Sequence, residues 1–183
     1  MNKGLSAALF AAAALTGCGS TTKEAKERNP APCPFVVVLE DAARQVEFDG
    51  EPSLETVAWS AEIKDASLSC RYYGDRPIEA ELRFSMAAGK GPAARMREHD
   101  YKYFVAVTRR DMEVIAKKNY ARTIKFDKDE SIKVISEKID DIVIPRARES
   151  IAGSNFEIVI GLVLTREQAL YNRSGKSLKF PDL

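Results

Sequence analysis

The sequence predicts a mainly β protein, an antiparallel β-sandwich of immunoglobulin-like or related architecture with one short C-terminal helix. Three observations support this prediction. Apolar and polar residues alternate with a period of two over most of the chain after Phe35, a pattern typical of strands with one buried and one wet face. Turn-forming pairs such as Asp49-Gly50 separate these stretches. A complete helix start signal is found only near the C-terminus.

The alternation places the strands in chain order. The apolar run over residues 35–39 forms the first, and residues 45–48 form a second short strand before the Asp49-Gly50 turn. Four longer stretches show the period most clearly, because apolar residues occupy every second position. These residues are Val57, Trp59, Ala61 and Ile63; Ile78, Ala80, Leu82, Phe84 and Met86; Tyr101, Tyr103, Val105 and Val107; and Phe156, Ile158, Ile160, Leu162 and Leu164.

Two segments admit a second interpretation. Residues 120–126 alternate as in a strand, but Asp111 could cap a helix over the preceding residues. In residues 132–144 the isoleucines lie at near-helical spacing, whereas the residues directly before Pro145 favour an extended chain. We predict a strand in both segments, 112–126 and 132–144.

One helix is predicted after the last long strand. Thr165 and Gln168 occupy the two positions of a capping box, in which each side chain satisfies a backbone donor at the helix start. Gly175 can adopt the left-handed conformation that ends a helix. Residues 177–180 could add an edge strand beyond it.

The longest stretch without such signals covers residues 87–100, and we predict an irregular loop with outward-facing cations. Long loops in compact domains often carry contacts to a partner or a lipid headgroup. Residues 146–155 form a second candidate, where two arginines could clasp an anionic group. The cations of the two segments are Lys90, Arg95, Arg97, Arg146 and Arg148. A mobile connection with solvated charges is the simpler interpretation of both.

The start of the chain has the order of a secretory signal. Lys3 precedes an apolar run over residues 5–15, and Leu15-Thr16-Gly17-Cys18 follows. As a helix the apolar run would rise only about 17 Å, against about 30 Å for the hydrocarbon core of a bilayer. It is therefore too short to span a membrane, and we interpret it as the apolar region of a signal peptide.

The Leu-x-Gly-Cys motif resembles the lipobox of bacterial lipoproteins. The resemblance implies a signal peptide over residues 1–17, cleavage before Cys18, and lipidation of Cys18 by diacylglycerol and a palmitate-type acyl chain, which together anchor strongly. Because Gly19 rather than aspartate follows the cysteine, it also implies an outer-membrane protein that faces the periplasm. A plain secretory signal is the alternative. Polar residues 18–32 predict a flexible tether, and residues 33–183 a single β-rich periplasmic domain.

Two cysteines remain when the lipobox takes Cys18. Cys33 and Cys70 form an even pair in a chain that enters an oxidising compartment, so we predict a disulfide between them. In the chain-entropy model, closing such a loop stabilises the fold by about 4 kcal/mol. Two reduced, buried thiols are the alternative.

The charge balance limits the class of partner. The chain has 28 basic and 27 acidic residues, and cleavage before Cys18 removes only Lys3 among them, so the mature protein is close to neutral. A balanced chain has no general electrostatic footprint for nucleic acid. We expect contact with the membrane through the lipid on Cys18, and an envelope protein as a partner.

The single histidine, His99, limits the possible catalysis. Ser-His-Asp or Cys-His chemistry would have to use it. It lies between Glu98 and Asp100 in the predicted loop, and we interpret it as an exposed loop residue. We expect no catalytic residue, no metal site and no cofactor, because nucleophiles, bases and metal ligands do not cluster in the sequence.

The sequence therefore predicts a lipid-anchored envelope protein that acts as a non-catalytic interaction or assembly component. One alternative is a glycan- or peptidoglycan-binding module that stacks sugars on tyrosines. The tyrosines concerned are Tyr72, Tyr73, Tyr101 and Tyr103. We assign Tyr101 and Tyr103 to the core instead, because they share one face of a strand. The other alternative is a small envelope hydrolase that uses His99.

Overall fold

The part of the chain that the structure describes contains eight strands, most of which follow the alternation of apolar and polar residues. The structure is a computed structural model and describes residues 32–73, 76–110, 113–145 and 152–180. The strands are β1 (Phe35–Val38), β2 (Arg44–Phe48), β3 (Val57–Arg71), β4 (Ile78–Lys90), β5 (Glu98–Arg109), β6 (Val114–Lys125), β7 (Ile132–Ile144) and β8 (Phe156–Leu162). One α-helix, α1 (Arg166–Arg173), follows β8, and short 3-10 helices at Glu40–Ala42 and Gly153–Asn155 precede β2 and β8.

The strands form two four-stranded sheets. The first sheet has the order β1-β8-β5-β6, and the second has the order β2-β3-β4-β7. Every pair within them is antiparallel except β1 with β8, which run parallel with Phe35 opposite Glu157. The predicted sandwich with one short C-terminal helix is confirmed, and an immunoglobulin-like arrangement is compatible with it.

The core lies between the facing surfaces of the two sheets. Its largest fully buried side chains are Tyr101, Phe126, Ile78, Leu82, Met86, Ile144, Ile158, Ile160 and Leu162. Most of them come from the period-two positions of β4, β5 and β8, so the sequence pattern and the buried face agree. Each large aliphatic side chain among them contributes about 1.5–3 kcal/mol through removal from water.

Both ambiguous segments are strands, as predicted. β6 pairs along β5 with Tyr120 opposite Tyr103, and the two rings stack with centroids 5.3 Å apart. β7 pairs along β4 and closes the second sheet. Glu137 of β7 accepts a hydrogen bond from the Tyr103 hydroxyl at 3.3 Å and forms an ion pair with Arg122 at 3.1 Å. These contacts tie β7 of the second sheet to β5 and β6 of the first.

The helix signals are confirmed in detail. The Thr165 hydroxyl accepts from the Gln168 backbone N–H at 3.2 Å, and the Gln168 side chain accepts from the Thr165 N–H at 2.8 Å. Gly175 follows the helix with a φ of 76°, in the left-handed region. Asn172 attaches the helix to the second sheet, because its amide donates to the carbonyls of Asp41 and Arg44.

The segment after the helix differs from the prediction. Residues 177–180 form no strand. Phe180 instead lies against Gly89 on the outer face of the second sheet, and its backbone N–H donates to the Glu62 carboxylate at 2.9 Å. The buried carboxylate of Glu62 satisfies this donor, so the segment does not need a strand partner.

The predicted disulfide is present and fixes the start of the domain. Cys33 and Cys70 are bonded, with their Cα atoms 5.7 Å apart. Nearby, the Tyr72 hydroxyl donates to the Pro32 carbonyl at 2.6 Å and accepts from the Gly153 N–H at 3.1 Å. The chain that enters β1 is therefore held covalently and by hydrogen bonds.

Within the described ranges, no helix combines the length and the apolar character needed to cross a bilayer.

Candidate functional site

A cleft opens where β2 of the second sheet faces β5 of the first. It has a volume of about 620 Å³. Side chains from β2, from β5 and its preceding loop, from β6, and from the connection between β8 and α1 line it. They are Gln45, Glu47, Met96, Glu98, His99, Asp100, Lys102, Thr123, Val163, Leu164, Thr165 and Gln168. The capping box thus shapes one wall, and both polar and apolar side chains line the others.

His99 lies in this cleft and not in an exposed loop, so our interpretation of this residue was wrong. It belongs to β5, and its side chain is only 19% exposed. The imidazole stacks on the Trp59 indole and meets the Tyr101 ring edge-on, at centroid distances of 4.9 and 4.7 Å. The alternation that buries Tyr101 and Tyr103 extends back to His99, because residues two apart on a strand share a face.

Glu47 faces His99 from the opposite sheet. The Oε1 of Glu47 lies 3.4 Å from the Nε2 of His99 and accepts a 2.6 Å hydrogen bond from the Gln45 amide. The contact with His99 holds the pKa of the Glu47 carboxyl below its ordinary value, although partial burial opposes the shift; the Gln45 amide adds to the lowering. A negative charge is therefore held at this wall.

Gln45 presents an unsatisfied acceptor at the same wall. The residue is only 7% exposed, and its Nε2 must point at Glu47, because a carboxylate can only accept. This orientation leaves Gln45 Oε1 buried without a hydrogen-bond partner. His99 Nε2 is likewise without one, although it lies 3.4 Å from Glu47 Oε1. A buried acceptor without a donor is costly, and Gln45 Oε1 has almost no accessible surface.

Two further carboxylates stand on β5 at the mouth of the cleft. Glu98 and Asp100 are both exposed, and Asp100 accepts a hydrogen bond from the Thr123 hydroxyl at 2.5 Å. Lys102 follows at the next position of the same face. Because successive residues of a strand point to opposite faces, these three side chains lie on the face of β5 that is opposite His99.

Tyr101 and Tyr103 belong to the core, as predicted. They are 0% and 2% exposed, and burial raises the pKa of both phenols above the ordinary value. Negative charge adds to the rise, from Glu47 at Tyr101 and from Glu137 at Tyr103. Neither ring has a free face on which a sugar could stack.

The predicted long loop is shorter than expected. β4 continues to Lys90 and β5 begins at Glu98, so only residues 91–97 are irregular. Lys90 does not face outward, because its ammonium donates to the carbonyls of Asp127 and Lys128. Arg95 forms an ion pair with Asp49 at 2.6 Å, and both Arg95 and Arg97 are exposed. Strand pairing with β3, β7 and β6 overrides the glycines that suggested a loop.

Three predicted site residues lie outside the described residues. They are Cys18, Arg146 and Arg148. In the described portion, no group of three or more His, Cys, Asp or Glu side chains is arranged to hold a metal ion.

Gln45 and Glu47 are the site residues that sequence reasoning missed. In a short strand, Val46 and Phe48 would be expected to face the space between the sheets, but they lie on the other face of β2. Phe48 there meets the Tyr171 ring of α1 at 5.4 Å. The polar pair therefore turns inward. One sequence feature could have indicated this site: two polar residues, Gln45 and Glu47, occupy alternate positions of a short strand directly before a turn.

The fold and this site define a two-sheet β-sandwich with a cleft around His99 beside its C-terminal helix. Comparison of the chain with protein-family models, with curated proteins and with solved structures finds no match.

Proposed function

We propose that the protein is a lipid-anchored component of the cell envelope whose domain binds a partner in the His99 cleft without catalysing a reaction. The lipobox at Cys18 supports the anchor, with the membrane reached through the acyl chains and the domain facing the periplasm from the outer membrane. The disulfide fits an oxidising compartment. No nucleic acid is expected as a partner, because the chain is nearly neutral.

The observation that supports the binding role is which polar groups of the cleft already have hydrogen-bond partners within the protein. The Thr123 hydroxyl donates to Asp100, and the Thr165 hydroxyl caps α1. Both hydroxyls that line the cleft are thus engaged in holding the fold. Gln45 Oε1, in contrast, has no described donor, and the Glu47 carboxylate beside it is only partly buried. This division is typical of recognition, in which fixed groups complement a ligand.

Photo-crosslinking in cells tests the binding role. A benzoyl-phenylalanine at Met96, which is 62% exposed in the cleft, should give a discrete adduct. The matched control is the same probe at Val143, which is 55% exposed on β7. We expect an adduct at Met96 and none at Val143. Absence of an adduct at Met96, or the same adduct at both positions, contradicts the proposal.

Membrane fractionation tests the anchor separately. The wild-type chain should remain with the membrane after a high-salt wash, and its mature form should carry the mass of the acyl groups. A Cys18→Ser variant should appear in the soluble fraction. Equal retention of both proteins, or an unmodified Cys18, contradicts the lipid anchor.

A hydrolase remains the second candidate, favoured by the pairing of His99 with Glu47. A carboxylate close to an imidazole is part of the arrangement of a general base. In this case His99→Gln, which keeps a polar group of similar size, should fail to complement a deletion strain. Under the binding proposal the same variant complements at least in part.

A further inference from the structure

We propose that the outer face of the first sheet, around β1, seats the domain on the surface of a bilayer that contains anionic lipids. This inference rests on the proposed lipid anchor, which would bring the domain to the membrane. We call this surface the β1 face, and none of its residues lines the His99 cleft. It comprises Phe35, Val37, Leu39, Phe104, Arg110 and Lys117.

β1 presents a stripe of exposed apolar side chains. Phe35, Val37 and Leu39 are 55%, 38% and 43% exposed, while the two residues between them pack against the core. The register places Val37 beside Val159 of β8, and Phe104 of β5 is half-buried on the same outer face. Removing such side chains from water is favourable, so this face is suited to an apolar partner.

β1 also lacks the charges that protect the opposite edge of the sheet. That edge is β6, and charged side chains on an edge strand hinder the addition of another strand. The charged residues of β6 are Lys117, Lys118, Arg122 and Lys125. The sequence of β1, in contrast, contains no charged residue. The apolar edge is therefore the one that is left for a partner of low polarity.

The small size of the stripe favours a membrane over another protein. A stable protein interface buries about 800 Å² on each partner, whereas β1 offers a few exposed apolar side chains on four paired residues. A lipid anchor raises the effective concentration of the bilayer at the surface of the domain. A weak contact is therefore sufficient at a membrane and insufficient for a free protein.

Cations accompany the aromatic rings of the β1 face. The guanidinium Cζ of Arg110 lies 5.6 Å from the ring centroid of Phe35, and the Nζ of Lys117 lies 4.2 Å from that of Phe104. Both cations are exposed, and the register places one half-buried carboxylate, Glu157, opposite Phe35. Apolar side chains that enter a bilayer surface, with cations that reach anionic headgroups, are typical of interfacial binding.

The chain enters the domain at one end of this face. Cys33 follows Cys18 by 15 residues, and β1 begins two residues after Cys33. Even fully extended, 15 residues reach at most about 50 Å. The bond of Cys33 to Cys70 and the hydrogen bond from the Tyr72 hydroxyl to the Pro32 carbonyl hold this entry in place. Along the chain, β1 is therefore the strand that a lipid on Cys18 holds nearest to the bilayer.

Fluorescence quenching in vesicles tests the inference. The full acylated chain, with a fluorescent amino acid at Leu39, is reconstituted into vesicles of phosphatidylethanolamine and phosphatidylglycerol that carry a shallow nitroxide quencher. The matched control has the same label at Val143, which is 55% exposed on β7 of the second sheet. We expect several-fold stronger quenching at Leu39 than at Val143. Equal quenching at the two positions, or none at Leu39, contradicts the inference.

A charge on the β1 face should prevent docking. Val37→Asp should reduce the quenching at Leu39 several-fold, because an ionised carboxylate would have to leave water. The matched control, Val134→Asp, makes the same change at a 50% exposed position of β7 and should leave the quenching unchanged. Melting temperature checks the folding of both variants. Equal quenching in the two folded variants overturns the inference.

Neutralising the two cations tests the headgroup contact without changing the apolar side chains. The label at Leu39 should be quenched more strongly in vesicles with phosphatidylglycerol than in phosphatidylcholine alone. Arg110→Gln with Lys117→Gln should remove this preference. The matched control, Lys176→Gln with Lys179→Gln, neutralises two exposed lysines after α1 and should keep it. The same preference in all three proteins refutes the contact with anionic headgroups.

The Cys18→Ser chain keeps this inference apart from the anchor. Because it cannot be acylated, quenching at Leu39 should require a much higher concentration of vesicles. An acylated chain that stays with the vesicles while Leu39 is unquenched sustains the anchor and refutes the β1 face. An unmodified Cys18 in the wild type, together with quenching at Leu39, does the reverse. Crosslinks between two copies through Leu39, without quenching, would assign the face to self-association and overturn the inference.

Discussion

The imidazole of His99 lies flat against the indole of Trp59, with ring planes inclined by 13° and centroids 4.9 Å apart. Trp59 is itself 8% exposed and also contacts the ring of Phe126. The pair joins β5 of the first sheet to β3 of the second at the inner end of the cleft. His99 therefore has a packing role as well as a polar one.

Replacing His99 separates these roles. We expect His99→Ala to lower the free energy of unfolding by about 1–2 kcal/mol, because a stacked and an edge-on ring contact are lost. His99→Phe keeps both ring contacts and should recover most of that loss while removing Nε2. Urea unfolding monitored by Trp59 fluorescence measures both. Equal destabilisation by the two variants would show that the stacking contributes little.

Glu47 gives the domain a stability term that depends on pH. Its folded pKa lies below the ordinary value of 4.5, so folding favours the ionised form. The contribution is therefore complete above about pH 5 and is lost as the pH falls through the lower folded value. The stability difference between wild type and Glu47→Gln should shrink below that pH. Thermal unfolding from pH 3 to pH 7 measures it.

The control for this effect is the same comparison in a His99→Ala background. His99 is the main cause of the lowered pKa of Glu47. Without the imidazole, the stability difference that Glu47→Gln produces should depend much less on pH. An unchanged pH dependence would assign the effect to other groups.

The disulfide should be a large part of the net stability. Cys33 and Cys70 are 37 residues apart, and closing such a loop is worth about 4 kcal/mol in the chain-entropy model. We expect Cys33→Ser with Cys70→Ser to lower the denaturation midpoint strongly, and a reducing agent to lower that of the wild type equally. The reducing agent should have no effect on the double variant. A response there would point to a different thiol reaction.

The capping box supports one wall of the cleft, so its loss should be measurable. Thr165→Ala removes the acceptor for the Gln168 N–H and should cost about 1 kcal/mol. Thr165→Ser keeps the hydroxyl and serves as the matched control. Chemical denaturation of the three proteins checks the order. Equal stability of the Thr165→Ala and Thr165→Ser variants would mean that tertiary contacts alone hold the helix start.

Two glycines should differ in their tolerance of a methyl group. A Cβ on Gly91 would collide with the backbone carbonyl of Val57, which cannot move without displacing β3. A Cβ on Gly175 meets nothing within 4 Å, but the φ of 76° is strained for alanine. We expect Gly175→Ala to cost about 1 kcal/mol and Gly91→Ala clearly more. The reverse order in a denaturation series contradicts the packing around Gly91.

The strands and the helix were predictable because their patterns are local. The alternation around Tyr101 and the capping box at Thr165 each depend on residues within a few positions. The cleft depends on which face of β2 turns inward. Gln45 faces the cleft because α1, far along the chain, covers Phe48 on the other side of the strand. No local pattern contains that information.

The prediction of a loop over residues 87–100 failed for a related reason. Glycines and a proline normally indicate a turn, but Gly89 lies within β4, where Ser60 and Phe180 pack so closely that a side chain would not fit. The glycine is there because other parts of the chain approach it. The position of His99 at the start of β5 was obscured by the same error.

The parallel pairing of β1 with β8 has a consequence for how the polypeptide acquires its shape. Val36 is paired with Ile158, more than a hundred residues later. During synthesis the earliest strand thus has no neighbour in its sheet until nearly the whole chain has emerged. Assembly from such distant partners is slow compared with hairpin formation, so the first sheet should close only late in folding.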